Sequence, residues 1–173
     1  MSQRVTINEV SPDDRLDLVA ANLASIELHE PWVSPFRDDA AFLAYLARHA
    51  DGRSEGFVAR EWETGRVIGV INLSEIVRGS FQNAYMGYYG VAGALGRGLM
   101  TEAVGLVLDR AFGRLGLHRV EANIQPANMR SIALARRLGF RREGLSRAYL
   151  LVAGEWRDHE RWAILSDEWN ERA

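Results

Sequence analysis

The chain of 173 residues contains no cysteine and no lysine, and all 21 of its basic residues are arginine. Without cysteine there is no disulfide, no thiolate metal site and no cysteine nucleophile. Without lysine the phosphate-binding P-loop GxxxxGK[ST] is ruled out. Proline is scarce at four residues, and two of them, Pro31 and Pro35, bracket Trp32 in a stiff loop. No run of about 18 apolar residues occurs, so no membrane span is expected. The polar opening MSQRVTINEV lacks an apolar signal core, and the expectation is a cytoplasmic chain. The four histidines, His29, His49, His118 and His159, have no HExxH or other close-pair spacing, so no metal site is expected. A net charge of −2 offers no basic face for nucleic acid. What is present, 47% hydrophobic residues over 173 positions, suits one folded domain, residues 1–173, with a core of its own.

The hydrophobic pattern predicts a first strand through Val5, Ile7 and Val10. A helix opening at Ser11-Pro12-Asp13 follows, with Leu16, Val19, Ala20 and Leu23 as its inner stripe. A second helix over residues 38–50 buries Phe42, Leu43 and Leu46. Strands follow at residues 56–61, 67–76 and 83–91. The helix over residues 100–115 carries Val104, Val107, Leu108 and Ala111 on one face. A strand at residues 119–124 and a helix at residues 129–138 complete a β-α-β-α unit. Strands at residues 142–152 and 155–164 meet at Ala153-Gly154, a hairpin turn. Helices interleaved with strands in this way predict a mixed sheet covered on both faces.

Two stretches carry the chemistry. Residues 93–103 read GALGRGLMTEA and follow the strand-like run AYMGYYGV. A strand, a glycine turn and a helix start together aim several backbone N–H groups at one point, where the helix dipole adds about half a positive charge. Glycine allows the backbone to approach closely and to take positive φ, so the place suits phosphate oxygens. The dinucleotide fingerprint GxGxxG fails at Thr101, and a plain turn capping a helix would use the same residues. Thirty positions on, QPANMRSIALARRLGF follows a second strand. Asn128 caps its helix, Ser131 lies one turn in, and Gly139 ends it; an ordinary capped helix is the alternative there.

Together these stretches, with EPW at residues 30–32, VRGSF at 77–81, LGF at 138–140 and AYLLVAGEWRDH at 148–159, resemble the GNAT superfamily of N-acetyltransferases. Within it they are similar to the ribosomal-protein-alanine N-acetyltransferases of the RimJ/RimL type. The resemblance spans residues 30–160 in family order. It implies a single-domain α/β GNAT fold: a mixed, mostly antiparallel seven-stranded sheet with helices on both faces. A V-shaped split between the fourth and fifth strands would hold acetyl-CoA. The implied reaction is direct attack of an N-terminal α-amine of a protein on the thioester, the protein being a ribosomal one beginning with Ala or Ser. A small amine or amino acid is the alternative acceptor, and a non-catalytic acyl-CoA-binding module is the alternative of another class. Neither nucleic acid nor membrane is an expected partner, and the assembly is expected to be a monomer or homodimer.

By this resemblance Leu95, Gly96, Arg97, Gly98, Leu99, Met100 and Thr101 hold the pyrophosphate, mainly through N–H groups with a charge-assisted contact from Arg97. Tyr89, Gly90 and Val91 pair with the pantetheine arm and polarise the thioester carbonyl, and Asn123 and Asn128 also contact the cofactor. Ser131 would donate to the leaving thiolate. Glu75, with Glu102 behind it, is the candidate base, and Tyr149 completes the catalytic set. Trp32, Tyr85, Trp156 and Asp158 would line the acceptor side. Arg136 and Arg137 either meet the 3′-phosphate or form a solvated helix face. The chain departs from the wider superfamily in having Ala135 where a tyrosine acid is common, Tyr85 where a strand carboxylate is common, and Gly93 at the first loop position. A missing base matters less for an α-amine, about one in ten of which is neutral at pH 7, than for a lysine, with fewer than about one in a thousand; the difference is about 3 kcal/mol.

Overall fold

The structure, a computed structural model, describes residues 4–171. Four strands, Val5–Glu9 (β1), Glu55–Glu61 (β2), Val67–Val77 (β3) and Asn83–Gly90 (β4), lie side by side in antiparallel register. The helix Leu99–Phe112 carries the chain across to Arg119–Ile124 (β5), which runs parallel to β4. After the helix Met129–Leu138, the hairpin Arg141–Val152 (β6) and Glu155–Leu165 (β7) folds back so that β7 pairs with β5. The sheet order is therefore β1-β2-β3-β4-β5-β7-β6. The helices in chain order are Arg15–Leu23 (α1), Ile26–His29 (α2), Asp39–Ala47 (α3), Leu99–Phe112 (α4), Met129–Leu138 (α5) and Ser166–Asn170 (α6). None is long and apolar enough to cross a membrane.

The period-2 alternation of the strands divides the core in two. Phe57, Ala59, Ile71 and Leu73 face α4 and α5, where Val104, Val107, Leu108, Ile132 and Leu138 cover them. Val58 and Val70 face the other way, onto Leu18 of α1 and the aromatic group Phe36, Phe42 and Tyr45. The inner face of α1 differs from the predicted stripe. Leu16 and Leu23 are exposed, whereas Leu18 and Asn22, one turn apart, are fully buried. A short 3₁₀ turn, Pro12–Asp14, precedes the helix, and the buried face includes a polar residue that a hydrophobic stripe does not reveal. Asn22 Nδ2 is satisfied by the Phe36 carbonyl at 2.9 Å. On α3 the buried pair is Phe42 and Tyr45, and Leu43 points outward, because the packing partner is the ring of Phe36.

The split in the sheet has a defined start. β4 and β5 pair only through Asn83–Arg119, Ala84–Val120 and Tyr85–Glu121, after which the two strands part. The first turn of α4 comes down where β4 ends. A Cβ on Gly69 would stand 2.6 Å from Met100 Sδ and 2.3 Å from the Tyr89 carbonyl oxygen, so glycine there lets the helix start sit close against β3 and β4.

The reassigned face of α1 sets a stability test. Leu18→Ala is expected to cost about 2–5 kcal/mol through the cavity it leaves, while Leu16→Ala changes stability by less than about 0.5 kcal/mol. Urea unfolding of the two variants checks this, and equal losses would contradict the observed helix rotation.

Candidate active site

The loop between β4 and α4 is shaped by glycine. Gly93, Gly96 and Gly98 have φ of 86°, 75° and 76°, a region costly for residues with a Cβ. Gly98 is the N-cap of α4 and has no capping side chain. The N–H groups from Leu95 to Thr101 find no protein acceptor among the described residues. Unpaired donors gathered at the positive end of a 14-residue helix are what an anionic oxygen cluster needs. The loop is braced from outside. Arg4 donates from its backbone N–H and its side chain to Glu102 and from Nη1 to the Arg97 carbonyl at 3.2 Å. Arg97 is ion-paired with Glu61, and with Thr64 it holds that carboxyl below the usual range. Glu102 is thus a loop clamp on the outer side.

Inside the split, the edge of β4 is partly exposed. Val91 donates to the Ile68 carbonyl at 2.9 Å on β3, and the alternation of an antiparallel ladder then turns the amides of Tyr88 and Gly90 into the gap. The Gly90 carbonyl accepts from His29 Nε2 at 2.9 Å. Since a carbonyl only accepts, this ring carries its proton on Nε2, and its Nδ1 is buried without a partner. Ser25 secures the chain two residues on, accepting from the Ala92 N–H at 2.9 Å and donating to the Ala21 carbonyl at 2.6 Å. The phenols of Tyr88 and Tyr89 are held protonated by burial, Tyr89 being pushed up to about 12.

Two adjoining cavities, open to solvent, occupy the split. One runs from Leu28, His29 and Gly90 past Leu95 and Met100 to Leu134. The other lies between Met86 and Gly87 of β4, residues 122–125, and Leu150, Val152 and His159 of the β6–β7 hairpin. Trp32, Val33, Tyr88, Asn128 and Ser131 line both. Asn128 Oδ1 accepts from the Ser131 N–H at 3.2 Å as the N-cap of α5, which leaves its Nδ2 available. The Tyr88 hydroxyl donates to the Ser131 carbonyl at 3.1 Å, fixing that turn against β4. Gln125 Nε2 donates to the Trp32 carbonyl at 3.3 Å and ties the Trp32 loop across the opening.

Of the residues singled out from sequence, the structure brings Trp32, Tyr89, Gly90, Leu95, Met100, Asn123, Asn128 and Ser131 to these cavities. Gly96, Gly98, Leu99 and Thr101 sit in the adjacent loop and helix start, Val91 is buried at the end of β4, and Arg97 lies beside Glu61 and Arg66. Glu75 lies elsewhere, exposed at an irregularity of β3 and paired with Arg53 at 3.1 Å. Asp158 accepts from the Ala148 N–H at 2.7 Å, where β6 bulges, and Trp156 is exposed opposite Leu151. Tyr85 lies near Tyr149, Arg119 and Glu121, outside both cavities. Arg136 lies over the Trp162 ring, and Arg137 donates to the Ala133 carbonyl. Sequence reasoning missed Tyr88, His29 and His159 as lining residues. The histidines have no metal-ligand spacing, and although His159 ends the stretch AYLLVAGEWRDH, nothing local assigns its ring to a cavity.

The chain matches the model of an acetyltransferase (GNAT) domain over residues 4–141. It is 43% identical over 103 residues to a probable N-acetyltransferase, YjcK, of Bacillus subtilis, covering 60% of this chain and 57% of that one; the chain thus spans a little over half of that relative. It is 39% identical over 149 residues to the [ribosomal protein uS5]-alanine N-acetyltransferase of Escherichia coli, covering 81% and 76% of the two. Among solved structures, RimJ of Mycobacterium smegmatis in complex with CoA-disulfide superposes with a TM-score of 0.86 at 30% identity, over 95% of this chain and 83% of that one.

The buried imidazole at the mouth of the split makes folding pH-dependent. Burial lowers the pKa of His29, opposed by the Gly90 carbonyl and helped by Arg37. The folded state therefore binds this proton less readily than the unfolded chain. The stability contributed is full above the ordinary histidine value of about 6.5 and is lost as pH falls below it. His29→Gln removes this dependence, so the stability difference between the natural chain and the variant should shrink between about pH 7.5 and about pH 5.5. Denaturant midpoints across that range test it; parallel curves would show that His29 does not titrate differently on folding.

Proposed function

The chain belongs to the acetyltransferase (GNAT) family, and from that premise we propose that it acetylates the N-terminal α-amine of a protein. The acceptor is a ribosomal protein beginning with Ala or Ser. Acetyl-CoA is the acyl donor of this family and supplies an activated thioester. The observation that carries the reading is the junction of the two cavities at Asn128 and Ser131, which separates a donor side from an acceptor side. The relative acting on alanine of uS5, with 39% identity over 81% of this chain, supports the acceptor. We place the activity in the cytoplasm, carried out by a monomer or homodimer.

The residues present fit the donor. The unpaired amides of Leu95 to Thr101 would hold the diphosphate. The N–H groups of Tyr88 and Gly90, turned into the gap, would run along the pantetheine arm. Asn128 Nδ2 would reach the same arm. An N–H aimed at the thioester carbonyl stabilises developing negative charge, worth about 3–4 kcal/mol where such donors have been removed from enzymes. Ser131 Oγ, on the turn that lines both cavities beside Tyr88, would donate to the departing sulfur. Trp32, with the acceptor-side cavity below it, would shield this junction from water.

Free thiol release from acetyl-CoA tests the reading, with Ala- and Ser-starting peptides, N-blocked lysine peptides and small amines as acceptors. Turnover confined to free N-termini is the expected result; turnover of small amines alone discards the N-terminal assignment, and none at all favours a binding module. Ser131→Ala should lower kcat about 10- to 100-fold with little change in the KM for acetyl-CoA. An unaltered kcat would remove Ser131 from the thiolate.

A further inference from the structure

Amide formation must take a proton off the acceptor nitrogen, yet no Asp or Glu lines either cavity of the split. The nearby carboxylates are engaged elsewhere. Glu75 is paired with Arg53, Glu102 with Arg4, Glu121 with Arg119, and Glu160 with Arg142 and the Trp162 indole. Asp158 is taken up by the Ala148 N–H. The only nitrogen bases among the lining residues are two imidazoles, His29 and His159. His29 has its Nε2 committed to the Gly90 carbonyl and its Nδ1 enclosed.

His159 is arranged the opposite way. It lies on β7, with Ser146 of β6 opposite it, and only 4% of its surface is accessible. Its Nδ1 is 2.9 Å from the Arg157 carbonyl. A carbonyl cannot donate, so Nδ1 carries a proton, and in the neutral ring the lone pair lies on Nε2. Nε2 has no protein partner among the described residues, and it is not one of the fully enclosed unpartnered atoms. It therefore retains an opening, and the cavity that its ring lines also holds Trp32, Asn128 and Ser131. The ring of Tyr149 stands 6.3 Å away, centroid to centroid, and the strand backbone fixes the imidazole. An imidazole whose Nδ1–H is held by an acceptor and whose Nε2 is unpartnered, in a ring that lines the cavity, has the arrangement of a general base.

We propose that His159 is a catalytic residue: its Nε2 accepts the proton of the acceptor amine as the amide forms. This rests on the acetyl-transfer reading above, though not on which amine is the acceptor. The amine nitrogen attacks the thioester carbonyl carbon and the N–C bond forms, while a proton passes from that nitrogen to Nε2. The C–S bond then breaks with its electron pair on sulfur. The thiolate takes up one proton, Nε2 releases the one it gained to solvent, and the net change is amine plus thioester to amide plus thiol. A histidine base matches an α-amine acceptor, of which about one in ten is already neutral at pH 7, better than it matches a lysine.

The test compares the natural chain with His159→Gln and His159→Ala, using whichever amine of the panel the natural chain turns over best. Both variants should lose about 100-fold or more in kcat while retaining coenzyme A affinity, measured by calorimetry, and their melting temperature. Added imidazole should restore part of the turnover of His159→Ala and none of that of Ser131→Ala. A kcat for His159→Gln within about threefold of the natural chain overturns the proposal, the rate effect of a lost general base being larger. So does a loss that follows a fall in coenzyme A affinity or melting temperature, or an alanine variant that imidazole fails to rescue. A natural chain that acetylates only small amines discards the N-terminal assignment and leaves the same comparison to be made on those amines. One inert toward every amine removes the base together with the transfer.

Discussion

The parting of β4 from β5 after Tyr85 is the constraint from which the rest of the site follows. A strand that loses its neighbour exposes backbone donors and acceptors that must be satisfied some other way. Here the Gly90 carbonyl is taken by His29, Ala92 is taken by Ser25, and the remaining N–H groups face the gap. The short helix α2 is held in place largely by these substitutions for strand pairing. The same parting makes room for Trp32, which Gln125 ties across from the far side. Closing the two strands for two or three more residues would give a better sheet and no cavity.

The glycine loop depends on that gap and also on a second, outer set of contacts. Its seven N–H groups are useful only if the loop stays open, and no side chain caps the start of α4. Arg4 and Glu102 join the beginning of β1 to the first turn of α4, while Arg97 and Glu61 join the loop to the end of β2. These pairs are solvent-exposed, and each contributes little to global stability. Their effect is local: they hold the loop at both sides.

The fold, and the placing of the glycine loop and the start of α5 at the split, were legible in the sequence because the residues concerned are contiguous. Gly93 to Thr101, and Asn128 with Ser131, each lie on one strand–turn–helix junction, so spacing alone describes them. The hairpin wall of the second cavity was not. His159 reaches the cavity because β7 of the last hairpin pairs with β5, a non-local register that no window of sequence contains. His29 gains its role from a carbonyl 61 positions away. Glu75 and Asp158 have suitable chemistry as acids, but each is captured by a neighbour, Arg53 or the Ala148 amide, that the sequence does not single out. The rotation of α1 was hidden by Asn22, a polar residue on the buried face whose partner, the Phe36 carbonyl, lies in a loop.

Every ion pair among the described residues uses arginine, as a chain without lysine requires. In a protein that handles an activated acyl donor this has a chemical consequence. A guanidinium stays protonated at any physiological pH and has no free lone pair to attack a thioester, whereas a lysine amine would. The cations that brace the glycine loop, the β1–α4 junction and the β6–β7 hairpin are therefore inert to such a donor. No side chain of the chain offers an amine in competition with the acceptor, and its electrostatic frame cannot be neutralised by its own reaction.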